Sequence, residues 1–224
     1  MSRPEQEVVA CPHCGVRNTV TLWASVNPTV DPQLKEELLR GDLTTYVCTG
    51  CARRNALMYE LLYHDMAKQL LLWLLPDGIE ATEPKALALM GVFGGGYTRR
   101  VVRTVSKLTE KVRCFDAGLD DRVLEILKLG AWGHYSEDSA PPETFLFAEL
   151  AGGPAEMRII FVLASDAPDW PSVEVPIDAY NQLRTRVAPF LVPDQTSSLA
   201  WSEVSTTYGL QLGARFLGGR PGAT

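Results

Sequence analysis

The sequence lacks several features that would place it in a specialised class of protein. Its longest apolar run, residues 70–75, is far shorter than the roughly 20 residues needed to cross a bilayer. The first residues include acidic side chains and no apolar stretch, so we expect no secretion signal and a cytoplasmic location. A formal net charge of -6 argues against a protein that coats nucleic acid. The 46% hydrophobic content excludes a largely disordered chain.

Catalytic signatures are also missing. The chain has only three histidines, and it contains neither Gly-x-Ser-x-Gly nor His-Glu-x-x-His. We therefore predict no catalytic residues, although an enzyme whose site lies elsewhere in the chain stays an open alternative.

Cysteine supplies the strongest positive signal. Four of the five cysteines form two Cys-x-x-Cys pairs, which are Cys11 with Cys14 and Cys48 with Cys51. Two such turns can direct four thiolates at one point, an arrangement that suits tetrahedral Zn²⁺. We expect one structural zinc ion per chain. A redox dithiol or disulfide, and an iron or iron–sulfur site, are the alternatives.

Neighbouring residues qualify this prediction. Gly15 follows the first pair, where a positive φ is common, whereas Ala52 follows the second. His13 could replace one cysteine as a ligand, although four sulfurs already complete a tetrahedron. Such a closed site leaves no position for a reacting water. The fifth cysteine, Cys114, stands alone and is predicted to be a buried, unreactive thiol.

The segment between the two pairs is 33 residues long and has its own structural signals. A strand is predicted over residues 18–23, a helix over residues 33–40 and a strand over residues 43–47. Asp31 and Pro32 are typical of a helix start, and Gly41 is typical of a helix end. Two further runs, 56–63 and 69–75, predict a β-hairpin. His64 and Asp65 would lie at its tip, where a solvated turn is favoured over an acid–base pair.

A helical hairpin is predicted next. Apolar positions recur at helical spacing over residues 98–113, and a second helix is predicted over residues 119–128. Residues 86–135 carry eight basic and five acidic side chains, including a predicted basic stripe of Arg99, Arg100, Arg103, Lys107 and Lys111. A solvated or internally paired face is favoured over a nucleic-acid surface. The preceding loop, Gly94 to Gly96, could bind an anion, but a flexible joint explains it more simply.

The remaining chain predicts strands over residues 143–150, 157–164, 172–176 and 204–212, a helix over 178–187 and a frayed tail from residue 218. The predicted class is α+β. It comprises a rubredoxin-like or zinc-ribbon-like N-terminal region with an inserted helix (1–85), an αα-hairpin (86–135) and a β-rich α+β C-terminal region (136–224).

These motifs together resemble the CpXC domain of bacterial proteins. The resemblance is carried by Cys11-Pro-His-Cys14-Gly15, the helix after Asp31-Pro32, the second cysteine pair, Leu62-Tyr63-His64-Asp65 and the stretch from Phe115 to Arg122. It covers about residues 8–130. The second pair departs from the pattern, because it reads Cys-Thr-Gly-Cys-Ala. The family has no assigned activity, so the resemblance implies the metal site and leaves the role open.

The sequence therefore predicts a zinc-ribbon protein whose metal is structural and whose role is to bind another macromolecule, with protein the first candidate. The helical hairpin and the C-terminal region would offer the interaction or self-association surface. Nucleic-acid binding by the basic helix 99–113 is one alternative, and an enzyme with a site away from the zinc is another.

Overall fold

The structure is a computed structural model that describes residues 2–79, 96–134, 136, 139–154, 156–164, 172–191 and 201–218. The chain forms two compact units. The first contains Met1–Leu108 and Ser197–Trp201, and the second contains Thr109–Thr196 and Ser202–Thr224. The predicted α+β class is confirmed, since helices and β-sheets occur in these residues. The division into three regions stays a prediction.

A five-stranded sheet organises the first unit. Its strand order is β1-β2-β5-β6-β7, with β1 at an edge. The strands are β1 (Arg3–Ala10), β2 (Arg17–Val26), β5 (Leu61–Asp65), β6 (Leu70–Leu74) and β7 (Thr98–Val102). The β1–β2 and β5–β6 pairs are antiparallel, and the β2–β5 and β6–β7 pairs are parallel.

The predicted hairpin is confirmed as β5 and β6. Every side chain of β6 is buried, which explains why its sequence is continuously apolar rather than alternating. Trp73 of β6 packs against Trp201, with ring centroids 5.3 Å apart. His64 and Asp65 belong to β5 itself, so their predicted place at the hairpin tip is wrong by one or two residues.

A small ribbon is inserted between β2 and β5. It consists of helix α1 (Pro32–Arg40) and a two-stranded sheet of β3 (Thr45–Val47) and β4 (Arg54–Ala56). The predicted helix is confirmed, and it ends at Gly41, whose φ of 78° lets its N–H reach the carbonyl of Leu38 at 3.0 Å. Leu34 and Leu38 bury its apolar face.

The predicted single helix over residues 98–113 is wrong. The structure has strand β7 over Thr98–Val102 and then helix α2 over Val105–Asp116. Pairing with the apolar strand β6 decides this, because β-branched residues pack well beside a buried strand. Thr104 begins the helix, since its Oγ1 accepts the N–H of Lys107 at 3.2 Å.

The second unit packs helices and a three-stranded antiparallel sheet around an aromatic core. Phe145, Phe147 and Phe161 are each buried within this core. Beyond the C-terminal part of α2, its elements are α3 (Asp121–Gly133), β8 (Phe145–Ala151), β9 (Arg158–Leu163), β10 (Val173–Pro176), α4 (Ile177–Val187), a 3-10 helix (Ala188–Phe190) and α5 (Thr206–Leu217). The sheet order is β10-β9-β8. The αα-hairpin of α2 and α3 and the helix over residues 178–187 are confirmed.

Two predictions for this unit are wrong. The predicted strand over residues 204–212 is helix α5, whose buried Gly209 brings it close to α3: a Cβ at Gly209 would lie 2.9 Å from the Glu125 carbonyl oxygen. Helix α3 also continues past its predicted end at Lys128, because Lys128 is buried rather than exposed at a terminus. The predicted frayed tail lies outside the described residues from position 219 onward.

Candidate metal centre

The first Cys-x-x-Cys turn connects β1 to β2, and we call it the first knuckle (residues 11–15). The Cys11 N–H donates to Val16 O at 2.9 Å, and the Gly15 N–H donates back to Cys11 O at 2.9 Å. Gly15 has a φ of 74°, which confirms the expected left-handed conformation. These bonds close a tight turn that directs both sulfurs at the same point.

The second knuckle (residues 48–52) connects β3 to β4 and repeats this geometry. The Cys48 N–H donates to Arg53 O at 2.9 Å, and the Ala52 N–H donates to Cys48 O at 2.9 Å. Ala52 has a φ of 57°, so it adopts the conformation that glycine adopts in the first knuckle. The missing glycine therefore leaves the turn unchanged, at a conformational cost of about 1–2 kcal/mol.

All four sulfurs come together. They lie within 4.8 Å of one another, with Cys11 Sγ 3.7 Å from Cys51 Sγ and Cys14 Sγ 3.5 Å from Cys48 Sγ. A tetrahedral ion with metal–sulfur bonds of about 2.3 Å requires sulfur–sulfur edges of about 3.8 Å. All four cysteines are free thiols, and their spacing fits such an ion. The cluster could therefore bind a metal.

Hydrogen bonds and mutual repulsion set the charge of these sulfurs. Burial alone would raise the pKa of Cys48, but the N–H groups of Cys51 and Gly50 and its neighbouring side chains lower it to about 6. The N–H of Val16 lowers the pKa of Cys14, yet burial and the other three cysteines outweigh it and raise the pKa to about 12. Four thiolates thus repel one another unless a cation offsets part of their charge.

His13 lies outside the sulfur cluster. Its Nδ1 is 3.1 Å from Arg53 Nη1 at the exposed face of the knuckles. The cluster of potential ligands contains the four cysteines and does not include His13.

The predicted basic stripe is not an exposed face. Arg99, Arg100, Lys107 and Lys111 are each less than 8% exposed. Arg103 is partly exposed; it donates to Leu75 O at 3.3 Å and lies 3.9 Å from Asp77. The nucleic-acid alternative assumed that these five residues share one helix, but Arg99 and Arg100 belong to β7 and four of the five are buried. Nucleic-acid binding itself stays an alternative prediction. The favoured interpretation was a solvated or internally paired face. Burial contradicts a solvated face, and internal pairing is confirmed for Lys111, which contacts Asp121.

His64 and Asp65 make contacts that stabilise the fold. His64 Nε2 lies 3.1 Å from the Tyr97 hydroxyl, and burial lowers the pKa of His64. The buried Asp65 accepts the Lys68 N–H at 3.1 Å and so holds the hairpin turn. For the predicted anion loop, Gly94 and Gly95 lie outside the described residues.

A buried ionic network in the second unit was missed by the sequence analysis. Lys111 Nζ lies 3.0 Å from Asp121 and 3.5 Å from Glu125, and Lys128 contacts Glu125 at 3.0 Å as well as Glu110. Glu110 also accepts the Phe147 N–H at 2.7 Å. The sequence could have indicated this network only through lysines placed in the middle of a helix on its apolar side. Lysines on a solvated helix face give the same pattern.

The second unit also contains a cavity of about 630 Å³. Its lining is mostly apolar and comes from α3, α4, α5 and β10. The ionisable residues among this lining are His134, Glu174 and Arg186. Arg186 lies over the Phe216 ring, 5.1 Å from its centroid, and Glu174 lies 3.6 Å from Arg158.

The two knuckles define a class of protein: a chain in which two Cys-x-x-Cys turns, each at the end of a β-hairpin, bring four cysteines together in a cluster that could bind a metal. The family model for the CpXC protein matches residues 9–128, which is more than half of the chain. The protein belongs to the CpXC family.

No curated protein and no solved structure matches the chain. Among the described residues, no helix is both long and apolar enough to cross a membrane.

Proposed function

We propose that Cys11, Cys14, Cys48 and Cys51 hold one Zn²⁺ per chain as a structural ion, and that the protein binds another macromolecule, with protein the favoured partner. The observation that supports the metal is the sulfur cluster itself, whose 3.5 Å and 3.7 Å separations suit a tetrahedral ion of this size. A tetrahedral site of four thiolates suits zinc or iron, and we favour zinc because closed four-cysteine sites are typical of structural zinc.

The proposed metal connects two parts of the chain that are distant in sequence. Cys11 and Cys14 end the β1–β2 hairpin, and Cys48 and Cys51 end the β3–β4 hairpin. When bound, Zn²⁺ offsets half of the negative charge of the four thiolates and ties the two turns together, so binding free energy becomes folding free energy. Because four sulfurs complete the coordination, the ion has no position for a substrate.

Metal analysis of the purified protein tests the first part of the proposal. We expect about one zinc per chain in the wild type and in Cys114→Ser, and a large loss in Cys14→Ser. Iron in place of zinc, or a Cys14→Ser variant that keeps full zinc content, would contradict the assignment.

An apolar side of helix α5 supports the second part. Leu210 and Leu217 are 47% and 84% exposed and lie seven residues apart, so both stand on the same side of the helix. We therefore place the protein-binding surface on α5. The zinc-loaded wild type and a Leu210→Ser, Leu217→Ser variant should be compared by crosslinking and by sedimentation. A partner or second copy that binds the wild type and is lost from the variant supports the proposal, whereas equal binding contradicts it.

A further inference from the structure

The sequence around the two knuckles contains a second repeat besides the cysteines. After each knuckle, an asparagine stands four residues beyond the second cysteine: Asn18 follows Cys14, and Asn55 follows Cys51. Both asparagines are buried, at 4% and 7% exposure. Buried amides are found where their hydrogen bonds are satisfied, so this repeated placement calls for partners at the metal centre.

Each asparagine contacts its own knuckle through the same bond. Asn18 Nδ2 donates to Val16 O at 2.8 Å, and Asn55 Nδ2 donates to Arg53 O at 2.9 Å. Because a carbonyl oxygen can only accept a hydrogen bond, the group that faces it must be the NH₂ of the amide. These contacts therefore also direct the NH₂ group of each asparagine at the sulfur cluster.

Each asparagine also reaches the opposite knuckle. Asn18 Nδ2 lies 3.6 Å from Cys48 Sγ, and Asn55 Nδ2 lies 4.0 Å from Cys11 Sγ. Asn18 makes the stronger connection, because its Oδ1 also accepts the Thr49 N–H at 2.8 Å and the Thr49 hydroxyl at 3.0 Å. Each amide therefore contacts a sulfur of the other knuckle.

The sulfurs that receive these donors are the buried ones. Cys11 and Cys48 are 3% and 2% exposed, and both also accept backbone N–H groups, including that of His13 at 3.4 Å and that of Gly50 at 3.3 Å. Cys14 is exposed and Cys51 is half-buried. The site thus has an inner pair with amide donors and an outer pair that faces solvent.

We propose that Asn18 and Asn55 are positioning residues of the metal centre, which hold the two knuckles in register and stabilise the charge of the inner sulfurs by hydrogen bonds. This inference rests on the proposed zinc site. Donors around metal ligands orient the ligands and commonly change metal affinity by about 10–100-fold. Asn18 should contribute more than Asn55, because it is closer to its sulfur and also binds Thr49.

Asparagine-to-aspartate variants separate the amide donor from the rest of the side chain. Asn18→Asp keeps an oxygen for the Thr49 donors but replaces the NH₂ group with a second oxygen. Asn55→Asp makes the matched change in the other knuckle, and Asn181→Asp on the exposed face of α4 is the control. Zn²⁺ release to a chelator and the sulfur-to-metal charge-transfer band of the Co²⁺-loaded protein are measured for all three.

We expect zinc release to be about 10–100-fold faster in Asn18→Asp, less affected in Asn55→Asp and unchanged in Asn181→Asp. The charge-transfer band should move to longer wavelength in the first two variants, because thiolates without amide donors give up electrons more readily. Because aspartate also places a negative charge beside the sulfurs, the band is measured in the uncharged Asn18→Leu and Asn55→Leu as well. A purely structural role would not shift the band in an uncharged variant that still binds Co²⁺. If Asn18→Asp does not fold, Asn55→Asp alone decides the question.

Wild-type release rates and an unshifted band in Asn55→Asp and in any folded Asn18→Asp would overturn this inference while leaving the zinc site intact. Absence of zinc from the wild type would instead overturn the proposed function. The two failures are therefore distinguishable.

Discussion

Substitution of Lys111 by methionine tests the buried ionic network. Its Nζ lies 3.0 Å from Asp121 and 3.5 Å from Glu125, and its side chain is 2% exposed. At an effective dielectric constant of about 20, each contact attracts by about 5 kcal/mol, which the desolvation of the ammonium group partly offsets. The network has three carboxylates, on Glu110, Asp121 and Glu125, and two lysines. Loss of Lys111 would therefore raise its excess of negative charge from one to two. Loss of one partner from a buried pair costs about 3–5 kcal/mol, and we expect that loss of unfolding free energy in Lys111→Met.

Urea denaturation followed by circular dichroism measures this loss. Arg184→Met, an exposed change on α4, is the control and should shift the unfolding free energy by less than about 0.5 kcal/mol. A second substitution, Asp121→Asn, restores the original charge excess and should recover part of the stability of Lys111→Met. A loss below about 1 kcal/mol, or no recovery in the double variant, would refute the electrostatic reasoning.

Alkaline titration checks the same contact. Burial alone would lower the pKa of Lys111, but Asp121, Glu125 and Glu110 outweigh it and raise the pKa. A raised lysine pKa stabilises the fold fully below the unfolded value of about 10.4 and loses that contribution as the pH rises toward the folded value. The wild type should therefore lose stability above this pH more steeply than Lys111→Met. Parallel curves would contradict the assignment.

Three further predictions concern backbone and thiol. In thermal unfolding, Ala52→Gly should stabilise the protein by about 0.5–1 kcal/mol and Gly15→Ala should destabilise it by a similar amount, because both positions have a positive φ. If both variants change the stability in the same direction, this reasoning is refuted. Gly209→Ala should cost about 1–3 kcal/mol through its clash with the α3 backbone, whereas Gly130→Ala, which meets open space, should be neutral or stabilising. Cys114 should resist iodoacetamide at pH about 8 until the protein unfolds, since burial raises its pKa; modification of the native protein would contradict its burial.

Local signals predicted the four-cysteine cluster well. The two Cys-x-x-Cys spacings were enough to predict that four sulfurs would meet, because each turn is fixed by bonds within five or six residues. Helix α1 was equally local, with Pro32 at its start and Gly41 at its end. The Asn18 and Asn55 repeat was present in the sequence, but its meaning depended on contacts that cross between the knuckles.

Tertiary pairing overrode the sequence pattern elsewhere. Residues 98–102 fit a helical period, yet strand β6 offers them a full register of backbone partners. Strand β1 was missed because all its side chains except Val9 are exposed, so no apolar alternation marks it. Lysines 111 and 128 fit a solvated face, and only the carboxylates of the same hairpin show why they are buried.

The exposed position of β1 at the sheet edge has a consequence for aggregation. An unpaired strand edge is a template on which another chain can add a strand. Here the strand carries Arg3, Glu5 and Glu7 within its first five residues, and all three side chains are exposed. A second copy added parallel and in register along this edge would place Glu5 and Glu7 beside their own counterparts, so these carboxylates oppose fibril-like growth.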